Sequence, residues 1–169
     1  VFGYGVEKSA AEAVKWWKLS AKQGNPEAQY NLGWMYSKGH GVSEDHKEAV
    51  KWWKLSARQG NVDSQYNLGA YYSQGRGVPK DLKEAIKWWK LSAEQGYAPA
   101  QYNLGVHYAQ GMGVPRDFMS AYMWLDLAIS QGQKEAIRAR DIVEKNMSPS
   151  QVSKAQKLRR DWMKKHKMK

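Results

Sequence analysis

One seven-residue string, Lys-Trp-Trp-Lys-Leu-Ser-Ala, occurs three times in this chain of 169 residues. It begins at Lys15, Lys51 and Lys87, so successive copies are 36 residues apart. A second string, Gln-Tyr-Asn-Leu-Gly, recurs at the same interval. Self-similarity at a fixed period of about 20–50 residues is typical of a solenoid, in which one supersecondary unit is copied and stacked. Because one unit alone cannot bury its apolar face, neighbouring units must cover one another.

The first half of each unit has the pattern of a helix. In the unit that starts at Asn25, the helix is predicted over 25–38, with Asn25 as its N-cap. Pro26 suits the first helical position, where its missing N–H has no cost. An apolar stripe for burial follows at intervals of four residues, formed by Ala28, Leu32 and Tyr36.

A glycine stands inside each first helix at the same place, at Gly33, Gly69 and Gly105. Glycine in a helix interior costs about 1 kcal/mol relative to alanine. The repetition of an unfavourable residue predicts that a neighbouring helix approaches closely there. A larger side chain at Gly69 is therefore expected to force the helices apart.

A turn with two glycines and a valine follows each first helix, as in Gly39-His40-Gly41-Val42. The first glycine is predicted to end the helix in the left-handed conformation. The second helix then starts at Asp45, and Glu48 stands where a capping box requires it. The predicted buried stripe of this helix is Ala49, Trp53 and Ser56, and all three Trp pairs (16–17, 52–53 and 88–89) are assigned to packing.

The complete pattern resembles the Sel-one-like repeat (SLR) family, a relative of the tetratricopeptide repeats. The matching residues of one unit are Ala28, Leu32, Gly33, Tyr36, Gly39, Gly41, Val42, Asp45, Ala49 and Trp52. The units are placed at 1–24 (a half repeat), 25–60, 61–96 and 97–132.

The resemblance implies an all-α protein, a right-handed solenoid of stacked helix–turn–helix repeats. It also implies an adaptor for a protein or peptide partner, without catalysis. It favours a bacterial protein that is periplasmic or exported, with the cytoplasm as the alternative.

The repeat pattern fails after Gly132, and 133–169 is interpreted as a basic helical cap that closes the stack. Its helices are predicted at about 133–146 and 149–166. The second opens with the capping-box sequence Ser-Pro-Ser-Gln at Ser148. The predicted inner face of this helix is formed by Val152, Ala155, Leu158 and Trp162.

Charge is concentrated in that cap. The chain carries a net charge of +11, and 133–169 contributes +8 from twelve Lys/Arg and four Asp/Glu. A further ladder of lysines is expected on the convex side, at Lys15, Lys18, Lys51, Lys54, Lys87 and Lys90. Both features fit solvated faces. The alternative function is binding of an anionic polymer or a membrane surface.

The side of each first helix opposite the buried stripe is the candidate groove for a partner. Its asparagine and tyrosine ladders could bind an extended peptide, or could hold adjacent helices together. Positions that differ between units are the better candidates for specificity. The candidate residues are Tyr30, Asn31, Trp34, Lys38, Tyr66, Asn67, Tyr71, Gln74, Tyr102, Asn103, Val106 and His107.

The sequence does not support a catalytic function. The four histidines lack metal-ligand spacing, and neither a Ser-x-x-Lys motif nor a phosphate-binding loop is present. We therefore expect no enzyme activity, no cofactor, no metal and no small-molecule substrate. Without a nucleic-acid motif or a long apolar stretch, the sequence disfavours a nucleic-acid partner and a membrane span.

The start of the chain falls inside a repeat. Gly3 and Gly5 align with the turn glycines Gly39 and Gly41, which indicates a fragment of a longer protein. The helix predicted over 7–23 would then lack its partner helix, leaving Val14 and Trp17 partly uncovered. This end is expected to self-associate.

Overall fold

The computed structural model describes residues 3–166, with side chains from residue 9 onward. Within that range the chain forms nine helices and no strand. Contacts divide the chain into two compact units, Val1–Asp81 with α1–α4 and Leu82–Lys169 with α5–α9. The helices are α1 Gly3–Lys22, α2 Pro26–Lys38, α3 His46–Arg58, α4 Val62–Gln74, α5 Leu82–Glu94, α6 Ala98–Gln110, α7 Phe118–Ser130, α8 Glu135–Glu144 and α9 Pro149–Lys165.

The predicted helix caps are present, with one difference. Asn25 Oδ1 accepts from the Ala28 N–H at 3.0 Å, and Asp45 Oδ1 accepts from the Lys47 and Glu48 N–H groups. Ser148 forms the complete capping box. The box predicted at Asp45 is one-sided, because the Glu48 carboxylate contacts Lys51 Nζ at 3.2 Å.

The prediction for the start of α1 is wrong. The helix begins at Gly3 rather than at residue 7, so Gly3 and Gly5 are helical instead of forming a turn. The positions that form a turn in the later repeats are therefore part of α1.

In the first unit, the indole of Trp53 fills the space beside Gly33. Trp53 is 2% exposed, and its Nε1–H donates to the Tyr30 carbonyl at 3.2 Å. A Cβ atom on Gly33 would overlap with the Trp53 ring. The structure thus confirms the close approach predicted from the repeated glycine. Packed next to this contact is an apolar cluster formed by Val14, Ala21, Ala28, Leu32 and Met35.

The second glycine of each turn lies against the backbone of an earlier second helix. Gly41 has φ 70°, and a Cβ there would lie 2.5 Å from the Ala10 carbonyl carbon. Gly77 makes the same approach to the carbonyl of His46. Both the positive φ and the contact require glycine, so the turn is fixed on the helix beneath it.

In the second unit, α7 lies between its repeat partner and the two cap helices. Its buried residues form one cluster with residues of α8 and α9, comprising Ala121, Tyr122, Leu125, Ala128, Ala136, Val143 and Ala155. The cap helices therefore extend the core of the last repeat.

An ionic network joins the same three helices. Asp126 of α7 lies 3.5 Å from Arg140 Nη1 of α8 and 2.9 Å from Arg159 Nε of α9. The pKa of Arg140 is raised, first by the hydrogen bond that its Nη2 donates to Asp141 Oδ1 at 2.8 Å. Arg140 therefore remains charged, and the network fixes the cap to α7.

One predicted position on the inner face of α9 is wrong. Leu158 is 44% exposed, whereas Arg159 turns inward to Asp126. Arg159 follows Ala155 by four residues and precedes Trp162 by three, so it shares their side of the helix. The inner face of α9 therefore includes a charged residue.

Candidate partner-binding face

The string Gln-Tyr-Asn-Leu-Gly divides its residues between the interior and one exposed side of each first helix. In α2, Leu32 and Gly33 are buried, whereas Tyr30 and Asn31 are half-buried on the outer side. We call this outer side of a first helix its first-helix face, formed by α2 and α4 in the first unit and by α6 in the second. The string therefore combines packing residues with residues that a ligand can reach.

The glutamine of the string is structural, which sequence reasoning missed. Gln29 is 4% exposed, donates to the Ala21 carbonyl at 3.1 Å and accepts from Gln59 Nε2 at 2.8 Å. Gln101 makes the same pair of bonds in the second unit, to the Ala93 carbonyl and Gln131. Because this glutamine recurs in every copy of the string, its structural role could have been recognised from the sequence. A buried amide has to be hydrogen-bonded, and the end of the previous helix supplies the partner.

The asparagines are the polar groups of the first-helix face that remain available. Asn31, Asn67 and Asn103 are half-buried, and the structure gives their side-chain amides no hydrogen-bond partner within residues 9–166. An amide offers both a donor and an acceptor, which is what the main chain of an extended peptide requires.

The tyrosines of this face are partly engaged. Burial is the main cause that raises the pKa of Tyr30, followed by the nearby carboxylates of Asp63 and Glu27. Its phenol therefore stays neutral and can donate. Tyr102 packs on the core cluster of the second unit, and Tyr66 also interacts with neighbouring groups. These half-buried rings therefore pack against neighbouring residues and also remain partly accessible to a ligand.

The remaining candidates of the first unit are exposed. Trp34 is 41% exposed and lies edge-on to His40, with the ring centroids 5.8 Å apart. Lys38 and Gln74 lie at the ends of α2 and α4 and are also exposed. These side chains can contact a partner without any rearrangement of the core.

Two candidates are wrong, since Tyr71 and His107 belong to the interior. Tyr71 is 8% exposed, with its ring 4.8 Å from that of Trp53. His107 is 9% exposed, its ring lies 4.9 Å from that of Trp89, and its Nδ1–H donates to the Met112 carbonyl at 3.0 Å. The physical reason is the phase of the helix, because the buried stripe of α2 continues through Met35 and not through Tyr36.

In the second unit, the first-helix face opens into an apolar pocket of about 300 Å³. Val106 and Gln110 line it from α6, and Ile142 of α8 stands beside it with 56% of its surface exposed. Sequence reasoning identified the α6 side only, because α8 was treated as a cap. The complete lining is Val106, Ala109, Gln110, Phe118, Leu125, Ala139, Ile142, Val143 and Asn146.

At the other end of the chain, α1 carries an exposed apolar patch. Trp16 and Leu19 are 68% and 53% exposed, whereas Val14 is 3% exposed under α2. The prediction of an uncovered Val14, and the assignment of Trp16 to packing, are therefore wrong. Trp52, the repeat equivalent of Trp16, packs on the cluster of α1 and α2, and residues 3–166 place no earlier helix against Trp16.

Within residues 3–166, no group of three or more His, Asp or Glu side chains is arranged to hold a metal ion. No helix in that part of the chain is long and apolar enough to cross a membrane. What the described surface offers is an apolar pocket, amide groups and aromatic side chains.

Comparison with known proteins identifies the repeat. The model of the Sel1 repeat matches the chain four times, at residues 1–25, 26–61, 62–97 and 98–133. The chain belongs to the Sel1 repeat family. Sel1 repeat proteins are all-α solenoids that generally mediate protein–protein interactions and are typically non-catalytic.

Two solved bacterial structures are similar to this Sel1 repeat chain. A Sel1 repeat protein from Oxalobacter formigenes is 36% identical over 68% of this chain and 45% of that protein, with a TM-score of 0.66. A protective antigen present in uropathogenic Escherichia coli strains, which displays an SLR fold, is 31% identical over 90% of this chain and 41% of that protein, with a TM-score of 0.69. The chain thus spans less than half the length of either protein. No curated protein sequence matches it.

Proposed function

We propose that this Sel1 repeat chain is a scaffold whose second unit binds an extended segment of a partner protein on its first-helix face. One apolar side chain of that segment would sit in the pocket beside Val106. The observation that carries the proposal is the pocket. Two of its lining residues, Val106 and Gln110, occupy positions that vary between repeats.

The size and lining of the pocket suit such an anchor. Ligand sites are mostly apolar cavities of about 300–1,000 Å³ with a few polar groups that fix orientation. The volume here is at the lower end of that range, as a single side chain requires. Gln110 and Asn146 supply the amides, and Asn146 Nδ2 donates to the Ile142 carbonyl at 2.8 Å. The Asn146 oxygen is then oriented to accept from a peptide N–H.

Charge does not dominate the first-helix face. In the second unit, none of the residues that line the pocket carries a formal charge. Affinity would then come mainly from apolar burial, at about 25 cal/mol per Å². Binding on this face is accordingly expected to depend only weakly on salt.

Two isoleucines of α8 provide a matched test. Ile142 lines the pocket and is 56% exposed, whereas Ile137 is 43% exposed and does not line it. Peptides selected from a displayed random library should share an apolar residue, and Ile142→Asp should weaken their binding by about tenfold or more, or roughly 1.4 kcal/mol. Ile137→Asp should leave affinity within about twofold. Calorimetric titration measures both, and equal effects of the two changes would remove the pocket from the proposal.

The patch on α1 leads to a separate prediction about self-association. Trp16→Ser combined with Leu19→Ser should shift the protein toward monomer in sedimentation, because uncovered apolar surface promotes association. Unfolding free energy should change by less than about 0.5 kcal/mol. The control replaces Leu55 and Leu91, which are 39% and 43% exposed at the repeat positions of Leu19. Unchanged sedimentation of the first variant would show that the patch is not an interface.

A further inference from the structure

The outer side of α9 is a basic stripe that the first-helix face does not use. Three of its cationic side chains recur every three or four residues on the side opposite Ala155, which is completely buried, and two more flank them. All of them are exposed, and no ion pair involves them within residues 9–166. The members of the stripe are Lys154, Lys157, Arg160, Lys164 and Lys165.

One exposed apolar residue stands at the edge of this stripe. Leu158 is 44% exposed and follows Lys154 by four residues, so the two lie on the same side of the helix. Trp162 lies on the inner side, because its ring contacts that of Trp124 at 5.5 Å and stacks on His166 at 4.1 Å. The surface of α9 therefore combines positive charge with one exposed aliphatic side chain, while its tryptophan is half-buried.

We propose that this stripe binds an acidic amphipathic helix of a partner protein, with Leu158 against an apolar residue of that helix. Charges that recur every three or four residues along α9 match carboxylates that recur at the same interval along a partner helix. Asp161 also lies within the stripe, and a basic residue of a protein partner can pair with it.

The same features disfavour other anionic partners. Single-stranded nucleic acids gain affinity from bases stacked on exposed aromatic rings, whereas Trp162 is half-buried, with its ring engaged by Trp124 and His166. A helix that lies in a membrane surface needs a broad apolar side, and Leu158 alone does not form one.

The stripe and the pocket are separate surfaces. The pocket is lined by α6, α7 and α8, and no residue of α9 takes part in it. A failure of the stripe experiment thus leaves the proposed peptide site unaffected, and Ile142→Asp should not alter binding to the stripe.

The test uses a synthetic amphipathic helix of Glu and Ala with one Leu in each heptad. Comparison probes are poly-L-glutamate, a duplex DNA of random sequence and vesicles of phosphatidylserine in phosphatidylcholine. Anisotropy and co-sedimentation at low salt should show the peptide bound most tightly. Affinity should fall by about tenfold when ionic strength rises from roughly 50 to 200 mM, since exposed charges are screened.

Matched charge reversals locate the binding. Lys157→Glu with Lys164→Glu should weaken peptide binding by about tenfold or more. Lys47→Glu with Lys83→Glu changes the net charge by the same amount at exposed positions on α3 and α5 and should have less than about a twofold effect. Leu158→Ser should remove the preference for the peptide over poly-L-glutamate.

Three results would overturn the proposal. Tighter binding of DNA or of vesicles than of the peptide would assign the stripe to a different class of partner. Equal losses in the two charge-reversal variants would show that net charge alone matters. Absence of peptide binding at low salt would show that the stripe is a solvated surface.

Discussion

Replacing Gly105 by leucine is expected to lower the free energy of unfolding by about 3 kcal/mol, the upper end of the usual cost of overpacking. A Cβ at Gly105 would overlap with Leu125 Cγ and lie 2.8 Å from Leu125 Cδ2 and 3.2 Å from the Ala121 carbonyl oxygen. Leu125 is completely buried, so it has no free space into which it can move. The backbone of α7 would have to shift away from α6.

Overpacking and helix propensity predict changes of opposite sign in the free energy of unfolding. Helix propensity alone predicts that leucine stabilises α6 by up to about 1 kcal/mol relative to glycine. Gln110→Leu places a leucine at an exposed position of the same helix, where it meets no close contact, and should change stability by less than about 0.5 kcal/mol. Urea unfolding followed by circular dichroism measures both. A stabilised Gly105→Leu variant would show that α6 and α7 are not in contact at this point.

The repeating core could be predicted from the sequence because its determinants are local. Asn25 precedes a proline and an apolar periodicity, and these features specify a capped helix without knowledge of its neighbours. The recurrence of Gly33 likewise indicated a close contact, although only the structure identifies Trp53 as the group that fills the space.

The phase of the buried stripe could not be fixed to one residue by the same reasoning. Tyr36 and Met35 differ by about 100° around the helix, and both are apolar enough to be buried. Met35 is 8% exposed, whereas Tyr36 is half-buried, with Lys18 Nζ 5.4 Å from its ring. The misplacement of Tyr71 and His107 on the binding face follows from this single step.

Burial also depends on neighbours that a local string does not encode. Trp16 and Trp52 occupy the same place in identical seven-residue strings, but Trp16 is 68% exposed and Trp52 is half-buried. The pocket has the same origin. Ile142 and Asn146 fall in a region where the repeat pattern has failed, so only the packing of α8 beside α6 brings them to Val106.

Replacing Trp53 by alanine is expected to lower the free energy of unfolding by about 3–5 kcal/mol, the usual cost of deleting a buried aromatic side chain. The indole is 2% exposed, occupies the space beside Gly33 and contacts the Tyr71 ring with centroids 4.8 Å apart. Its removal also leaves the Tyr30 carbonyl without the N–H that now lies 3.2 Å away. The loss therefore combines a cavity with a broken hydrogen bond.

Trp16→Ala is the matched control, since it deletes an indole from the same repeated string at a position that is 68% exposed. Its effect should stay below about 0.5 kcal/mol. Trp53→Phe should recover part of the loss, because it refills most of the cavity but cannot donate to Tyr30. Circular dichroism in urea is the suitable measurement, since removal of a tryptophan alters fluorescence by itself. Similar losses for Trp53→Ala and Trp16→Ala would mean that Trp53 does not fill the space between α2 and α3. The glycine at the position of Gly33 in the repeat would then recur for a reason other than close packing.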